Sequence, residues 1–321
     1  MTQQTPKELF AKGLITEAQY VKIDAIHSGK IISVFYELRS LLYLGVLLFT
    51  TGAGLLIYEN IGELGHLLSI ITLTLLTIAC FWYTFTQAPA YTNEPVKGPT
   101  PYFDYIVLLG SLLFISVLGY LQFQFGILDE NLGIITLVTA LFYFFIAYRM
   151  DHAGVLSLGI TALASFWSIS VSPQKWYSGN FLETANLHVT AVVFGAALGG
   201  VAVILDKKSI KKHFTFTYLN FASLIFFSGA IGGLFVDESL YGIYLLVIAG
   251  GCAAAWYLAR QMKSFLLLLY SFLAAYIGTT YFLGTIVTEE FFGFWFYYSI
   301  VSCGGFIFFI IKYKTFFSRG E

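Results

Sequence analysis

Few residues in this sequence combine useful chemistry with useful spacing. The clearest group is Ser157, Thr161, Ser165 and Ser168, continued by Ser172. At 3.6 residues per turn these hydroxyls share one helical face, and Gly154 extends that face by a turn. Inside a membrane, such a stripe lets helices approach closely and hydrogen-bond across the contact. It could instead line a hydrated path or a polar substrate site. Packing is the default, and the path is the sharper reading. Asn220, flanked by Thr217 and Ser223, is a second polar group within an apolar stretch and needs a partner.

Other clusters are weaker. Glu59, Glu63 and His66 could meet on one helical side as oxygen and nitrogen ligands for a cation, but Gly62 and Gly65 interrupt them and favour a turn. Lys207, Lys208, Lys211 and Lys212 could contact anionic lipid or a partner, with chain orientation as their simplest role. Asp151-His152 reads as a cap in a tight turn beside Arg149. Cys80, Cys252 and Cys303 stand far apart without metal spacing and read as packed thiols. The apolar stretches carry no HExxH, no paired Asp and no serine–lysine arrangement. We therefore expect no catalytic residue, no metal, no cofactor and no enzyme.

The elements that would position these groups follow from composition. Of 321 residues, 58% are hydrophobic, 19% aromatic and only 11% charged, with a mean hydropathy of +0.79. Too little polar surface remains to cover a globule in water, so soluble enzymes and nucleic-acid binders are excluded for the bulk of the chain. Lipid is the solvent. A hydrocarbon core about 30 Å thick takes about 20 apolar residues per helix. Such runs recur at 39–58, 66–86, 103–123, 132–149, 153–172, 187–205, 214–235, 239–258, 264–284 and 291–311. They lack the period-2 alternation of a membrane barrel. The expected fold is all-α and polytopic, with about ten transmembrane helices.

Alternating spans put sixteen of the seventeen basic residues on one side and leave Lys175 alone on the other. By the positive-inside rule both termini are cytoplasmic. The outer turns then carry nine acids, including three adjacent pairs. These fill loops that exclude lysine, or they form an electronegative vestibule. Ten spans also divide into two five-span halves of opposite orientation, as in an inverted repeat, although no residue match links the halves.

Three regions are expected: a cytoplasmic helical hairpin arm at 1–38, the bundle at 39–311 and a basic tail at 312–321. In the arm, Thr16 caps a short helix with Glu17 in its first turn, and Tyr20 lies on its apolar face. The charged arm before the first span is unlike a cleavable signal, so that span should remain as an anchor. Pro89, Pro95, Pro99 and Pro101 make the second inner connection extended and irregular. Gly195 with Gly199, and Gly229 with Gly233, are GxxxG pairs that predict a tightly packed C-terminal bundle.

The stretch Leu9-Phe10-Ala11-Lys12-Gly13-Leu14-Ile15-Thr16-Glu17-Ala18-Gln19-Tyr20, followed by Leu44-Gly45 and Gly52-Ala53-Gly54-Leu55-Leu56, resembles a bacterial membrane-protein family. That family is known as domain of unknown function number 2157, and the likeness lies mainly in the first 60–90 residues. The resemblance implies a bacterial inner-membrane location and a short cytoplasmic arm before many spans. It brings no established activity and no catalytic residues. Two functions fit: a transporter or flippase-like carrier of a small or lipid-linked substrate, or a non-catalytic scaffold or accessory subunit of an envelope complex. Transport is preferred. The expected partners are the lipid bilayer, anionic lipids at the cytoplasmic face and a protein held by the arm, but no nucleic acid.

Overall fold

A computed structural model describes residues 16, 17, 20, 35–60, 63–126, 132–171, 185–237, 239–287 and 292–318. Ten long helices run through them: α1 Phe35–Asn60, α2 Glu63–Gln87, α3 Phe103–Phe125, α4 Leu132–Met150, α5 Ala153–Val171, α6 Ala185–Lys207, α7 Thr215–Val236, α8 Tyr241–Met262, α9 Phe265–Ile286 and α10 Phe292–Ser318. Each coincides with an expected span. Eight are long and apolar enough to cross a membrane, and Ser40–Ala53 and Ala153–Ser168 form shorter apolar stretches. Lipid offers backbone groups no hydrogen-bond partner, so helices that satisfy their own N–H and C=O groups are the solution such runs adopt. The protein is a polytopic helical membrane protein.

Two compact units divide the chain after Ile71, inside α2. In the first, the Thr16 carbonyl accepts the Tyr20 N–H at 2.8 Å, a helical hydrogen bond within the stretch where the arm helix was expected. The other apolar positions of that arm lie outside the described residues. Along α1, Thr50 and Thr51 turn their hydroxyls onto the carbonyls of Val46 and Leu47, leaving the helix apolar on its surface. At the other end of the chain α10 continues past 311 to Ser318, so most of the expected tail is helical.

The second unit, Thr72–Glu321, holds α3 to α10 and the rest of α2. Its strongest pairings are α4 with α5 and α6 with α7. One core gathers Phe103, Tyr143, Ile146, Leu156, Phe214 and Leu267, and a second gathers Phe227, Leu234, Tyr244 and Ile248. Many buried positions are small: Ala140, Ala147, Ala202, Ala222, Ala230, Ala259 and Ala274. Large apolar side chains such as Trp82, Leu246, Val301 and Ile311 point outward. Lipid tails solvate leucine as well as a protein core does, so small residues that let backbones meet occupy the contacts. Buried phenols bridge helices, with Tyr143 donating to the Ser111 carbonyl at 2.6 Å and Tyr148 meeting the Tyr218 hydroxyl at 3.1 Å.

Candidate functional site

The helix ends at the lysine-rich side of the second unit are built around a buried charge. Asp151 occupies the two-residue turn between α4 and α5 with a left-handed φ of 57°. Its Oδ1 accepts from Lys211 Nζ at 2.7 Å and from His213 Nε2 at 2.6 Å, and its Oδ2 accepts the Val96 N–H at 2.7 Å. The Lys211 and Asp151 side chains are only 2% and 6% exposed. Lys211 Nζ also lies 5.1 Å from the centre of the Tyr91 ring, a cation–π distance. Burial alone would push the Asp151 carboxyl up, but Lys211, the Val96 N–H and His213 outweigh it and hold the group below the usual carboxylate range.

The proline-rich connector supplies much of this cluster. Its Pro89 carbonyl accepts from Arg149 Nη1 at 2.8 Å, and Thr100 meets the Tyr83 hydroxyl at 3.3 Å. The segment is irregular, as expected, yet tied to Tyr83, Arg149 and Asp151. The cap expected from Asp151-His152 is made by His152, whose Nδ1 accepts the Val155 N–H at 3.1 Å, while Asp151 receives three donors from distant segments. Lys211 leaves the set of lipid-contacting lysines because it is sealed inside this pair. Lys207, Lys208 and Lys212 remain exposed.

A groove opens between α6, α7 and α8. Its apolar part, about 500 Å³, has Gly199, Gly200, Ala222, Phe226, Gly251 and Ala254 in its wall. A second chamber of about 510 Å³ shares Val203, Leu219, Ala254 and Leu258 with the first and reaches Asp206, Lys207, Lys212, Thr215 and Gln261. The two adjoin as one amphipathic slot, apolar over one part and charged at the other, its mouth. Between Lys207 and Gly195, α6 rises about 18 Å, over half the thickness of a hydrocarbon core. At the Gly195 end of the slot α6 and α7 touch: a Cβ on Gly195 would lie 2.6 Å from the Phe226 backbone nitrogen.

The hydroxyl stripe of α5 takes no part in the slot. Ser157, Thr161 and Ser165 donate to the carbonyls of Ala153, Ser157 and Thr161 at 3.1, 2.9 and 3.0 Å. Ser168 is half-buried on the same side. The buried face of α5 is Val155, Leu156, Gly159 and Ile160. The hydroxyls of Ser157, Thr161 and Ser165 thus satisfy themselves on their own helix. Single alanine replacements at 157, 161 and 165 are therefore expected to shift unfolding by no more than about 0.5 kcal/mol, read by thermal scanning in detergent. Asn220 is half-buried, and its Oδ1 has no hydrogen-bond partner.

The Glu59 and Glu63 side chains lie outside the described residues, and His66 is half-buried near the start of α2. Among the described residues no three His, Cys, Asp or Glu side chains converge as metal ligands. His188 is buried against α7, where a Cβ on Gly232 would meet its ring at 2.5 Å. All three cysteines are free. Cys252 and Ser271 instead exchange hydrogen bonds across α8 and α9, each donating to the other's carbonyl at 3.2 and 3.1 Å.

The sequence reading missed Asp206, Thr215 and Gln261 as wall residues and Asp151 with Lys211 as a pair. The glycines at 195, 199, 200 and 251 were the available signal for the slot, since residues without side chains leave either contact or space. No curated protein and no solved structure matches the chain. The family model described as Predicted membrane protein (DUF2157) matches residues 7–156, so the resemblance carried by the first 60–90 residues extends through α4 and the Asp151 turn, while the slot lies beyond it.

Proposed function

We propose that this protein is a non-enzymatic, flippase-like carrier of an amphiphile, working in the bacterial inner membrane with its lysine-rich end in the cytoplasm. The observation that supports this reading is the slot between α6, α7 and α8, apolar along its length and charged at its mouth. A lipid-like molecule matches that division, with its chain along the glycine-lined wall and its head among Asp206, Lys207, Lys212 and Thr215. In this reading the contact of Gly195 with Phe226 is the barrier toward the opposite face, and carriage requires α6 and α7 to part there.

The test is lipid exchange between leaflets. The purified chain is reconstituted into vesicles containing a trace of fluorescent phospholipid, and a membrane-impermeant quencher is added outside. A carrier exposes inner-leaflet label faster than protein-free vesicles do. Gly200→Trp provides the plugged control, because an added Cβ at Gly200 has no other heavy atom within 4 Å and the ring can enter the slot. Exchange should fall at least tenfold in that variant while the protein remains monodisperse. Quenching identical to protein-free vesicles would overturn the reading.

A further inference from the structure

The charged mouth of the slot carries unfilled hydrogen-bonding groups whose arrangement names a ligand class. Thr215 is 2% exposed, lines the mouth, and its Oγ1 has no partner. Asp206 Oδ1 is likewise buried and unpartnered by hydrogen bonds. The nearest cation, Lys212 Nζ, stands 3.7 Å away, attracted to the carboxylate but too far to donate to it. Lys207 is exposed beside it, and the Lys212 side chain is 67% exposed, so both ammonium groups can still take an anion. A buried acceptor without a donor is unfavourable, more so when charged. One carboxylate oxygen thus lacks a donor, one hydroxyl lacks any partner, and two lysines remain available, all around one chamber.

We infer that this mouth is a binding site for the head of an aminophospholipid, a phosphate joined to a primary ammonium. The phosphate sits between Lys207 and Lys212 and receives the Thr215 hydroxyl proton. The ammonium donates to Asp206 Oδ1, and Gln261 lies in the same wall to bond either half. The acyl chain continues into the apolar part of the slot. A choline head has no N–H to donate, so it leaves Asp206 unfilled. A glycerol head has no positive charge to set against the carboxylate. The inference rests on the amphiphile reading for its acyl chain, but binding is independent of movement.

The experiment is native mass spectrometry of the full chain released from detergent. It would be incubated in parallel with phosphatidylethanolamine, phosphatidylcholine and phosphatidylglycerol of identical acyl chains. Retained phosphatidylethanolamine should exceed phosphatidylcholine by about tenfold, the ratio expected from one charge-assisted hydrogen bond. Asp206→Asn should erase that preference while phosphatidylcholine retention stays unchanged, and Thr215→Val should weaken all three lipids. Equal retention of the three, a preference for phosphatidylglycerol, or an unaltered preference in Asp206→Asn would each overturn the site. Preference without leaflet exchange would sink the carrier alone, and exchange without preference would sink the head-group assignment alone.

Discussion

Removing the Asp151 carboxylate is expected to be the most destabilising single change at the lysine-rich end. Asp151→Ala leaves Lys211 Nζ, His213 and the Val96 N–H without their shared acceptor, and the Lys211 side chain has only 2% of its surface in solvent. Breaking a buried pair from one side costs about 3–5 kcal/mol, because the remaining charge is desolvated without compensation. Alanine at a φ of 57° adds about 1–2 kcal/mol of backbone strain. Asp151→Asn separates the two effects, since asparagine tolerates the left-handed region and removes only the charge. The double change Asp151→Asn with Lys211→Met should recover most of the loss. Thermal unfolding in detergent reads all three; an Asp151→Asn midpoint equal to wild type would refute the stated role of the pair.

The same group gives a signed pH dependence. Its carboxyl is held below the ordinary range in the folded chain. The unfolded chain therefore takes up this proton first as pH falls. The stabilisation is complete above the ordinary aspartate value of about 3.9 and disappears as pH drops from there through the depressed folded value. The midpoint difference between wild type and Asp151→Asn should thus shrink as pH falls below about 4. A difference that grows below about pH 4 would contradict the pairing.

The second large effect lies where α6 and α7 meet. A Cβ on Gly195 would stand 2.6 Å from the Phe226 nitrogen and 2.8 Å from its Cα. One on Gly229 would stand 2.7 Å from the Ala191 Cβ and 2.9 Å from the His188 carbonyl oxygen. Backbone atoms cannot swing aside as a long side chain does, so the helices must separate. Alanine at either glycine is expected to cost about 1–3 kcal/mol through overpacking. Gly200→Ala, facing open space, should stay within about 0.5 kcal/mol of wild type. Both losses fall on one contact, so the double variant should lose less than the two singles together. Three equal midpoints would mean that this close approach does not hold the helices.

The Gly195–Phe226 contact also ties stability to the proposed movement. If α6 and α7 part during carriage, Gly195→Ala biases the chain toward the parted arrangement, as any change that favours one state must. The glycine spacing that predicted a tight bundle therefore bears on two questions, and neighbouring glycines answer them differently. Gly195 and Gly229 bring backbones together, whereas Gly200 leaves part of the slot wall open. In the sequence these residues look alike.

What the sequence determined by itself is the division of the chain into membrane and connector. Twenty-residue apolar runs can satisfy their backbones in lipid only as helices, so ten helices were legible with ends close to those of α1 to α10, eight of them long and apolar enough to span. Lysine and arginine are costly in hydrocarbon, and their positions separated the two sets of connections before any contact was known. Which face of each helix meets a neighbour was not legible. In water, hydrophobic periodicity marks the buried face, but here the few polar residues of α7 are spread around the helix, and lipid and protein interior reward the same side chains. Small size and close fit select the contacts instead, and fit depends on the facing helix. For the same reason the α5 stripe left packing and a substrate path both open, whereas the Ser157, Thr161 and Ser165 hydroxyls close on carbonyls of their own helix. The Asp151–Lys211 pair, 60 residues apart, and the slot between α6, α7 and α8 were decided by tertiary structure alone, because no local spacing encodes the meeting of distant turns.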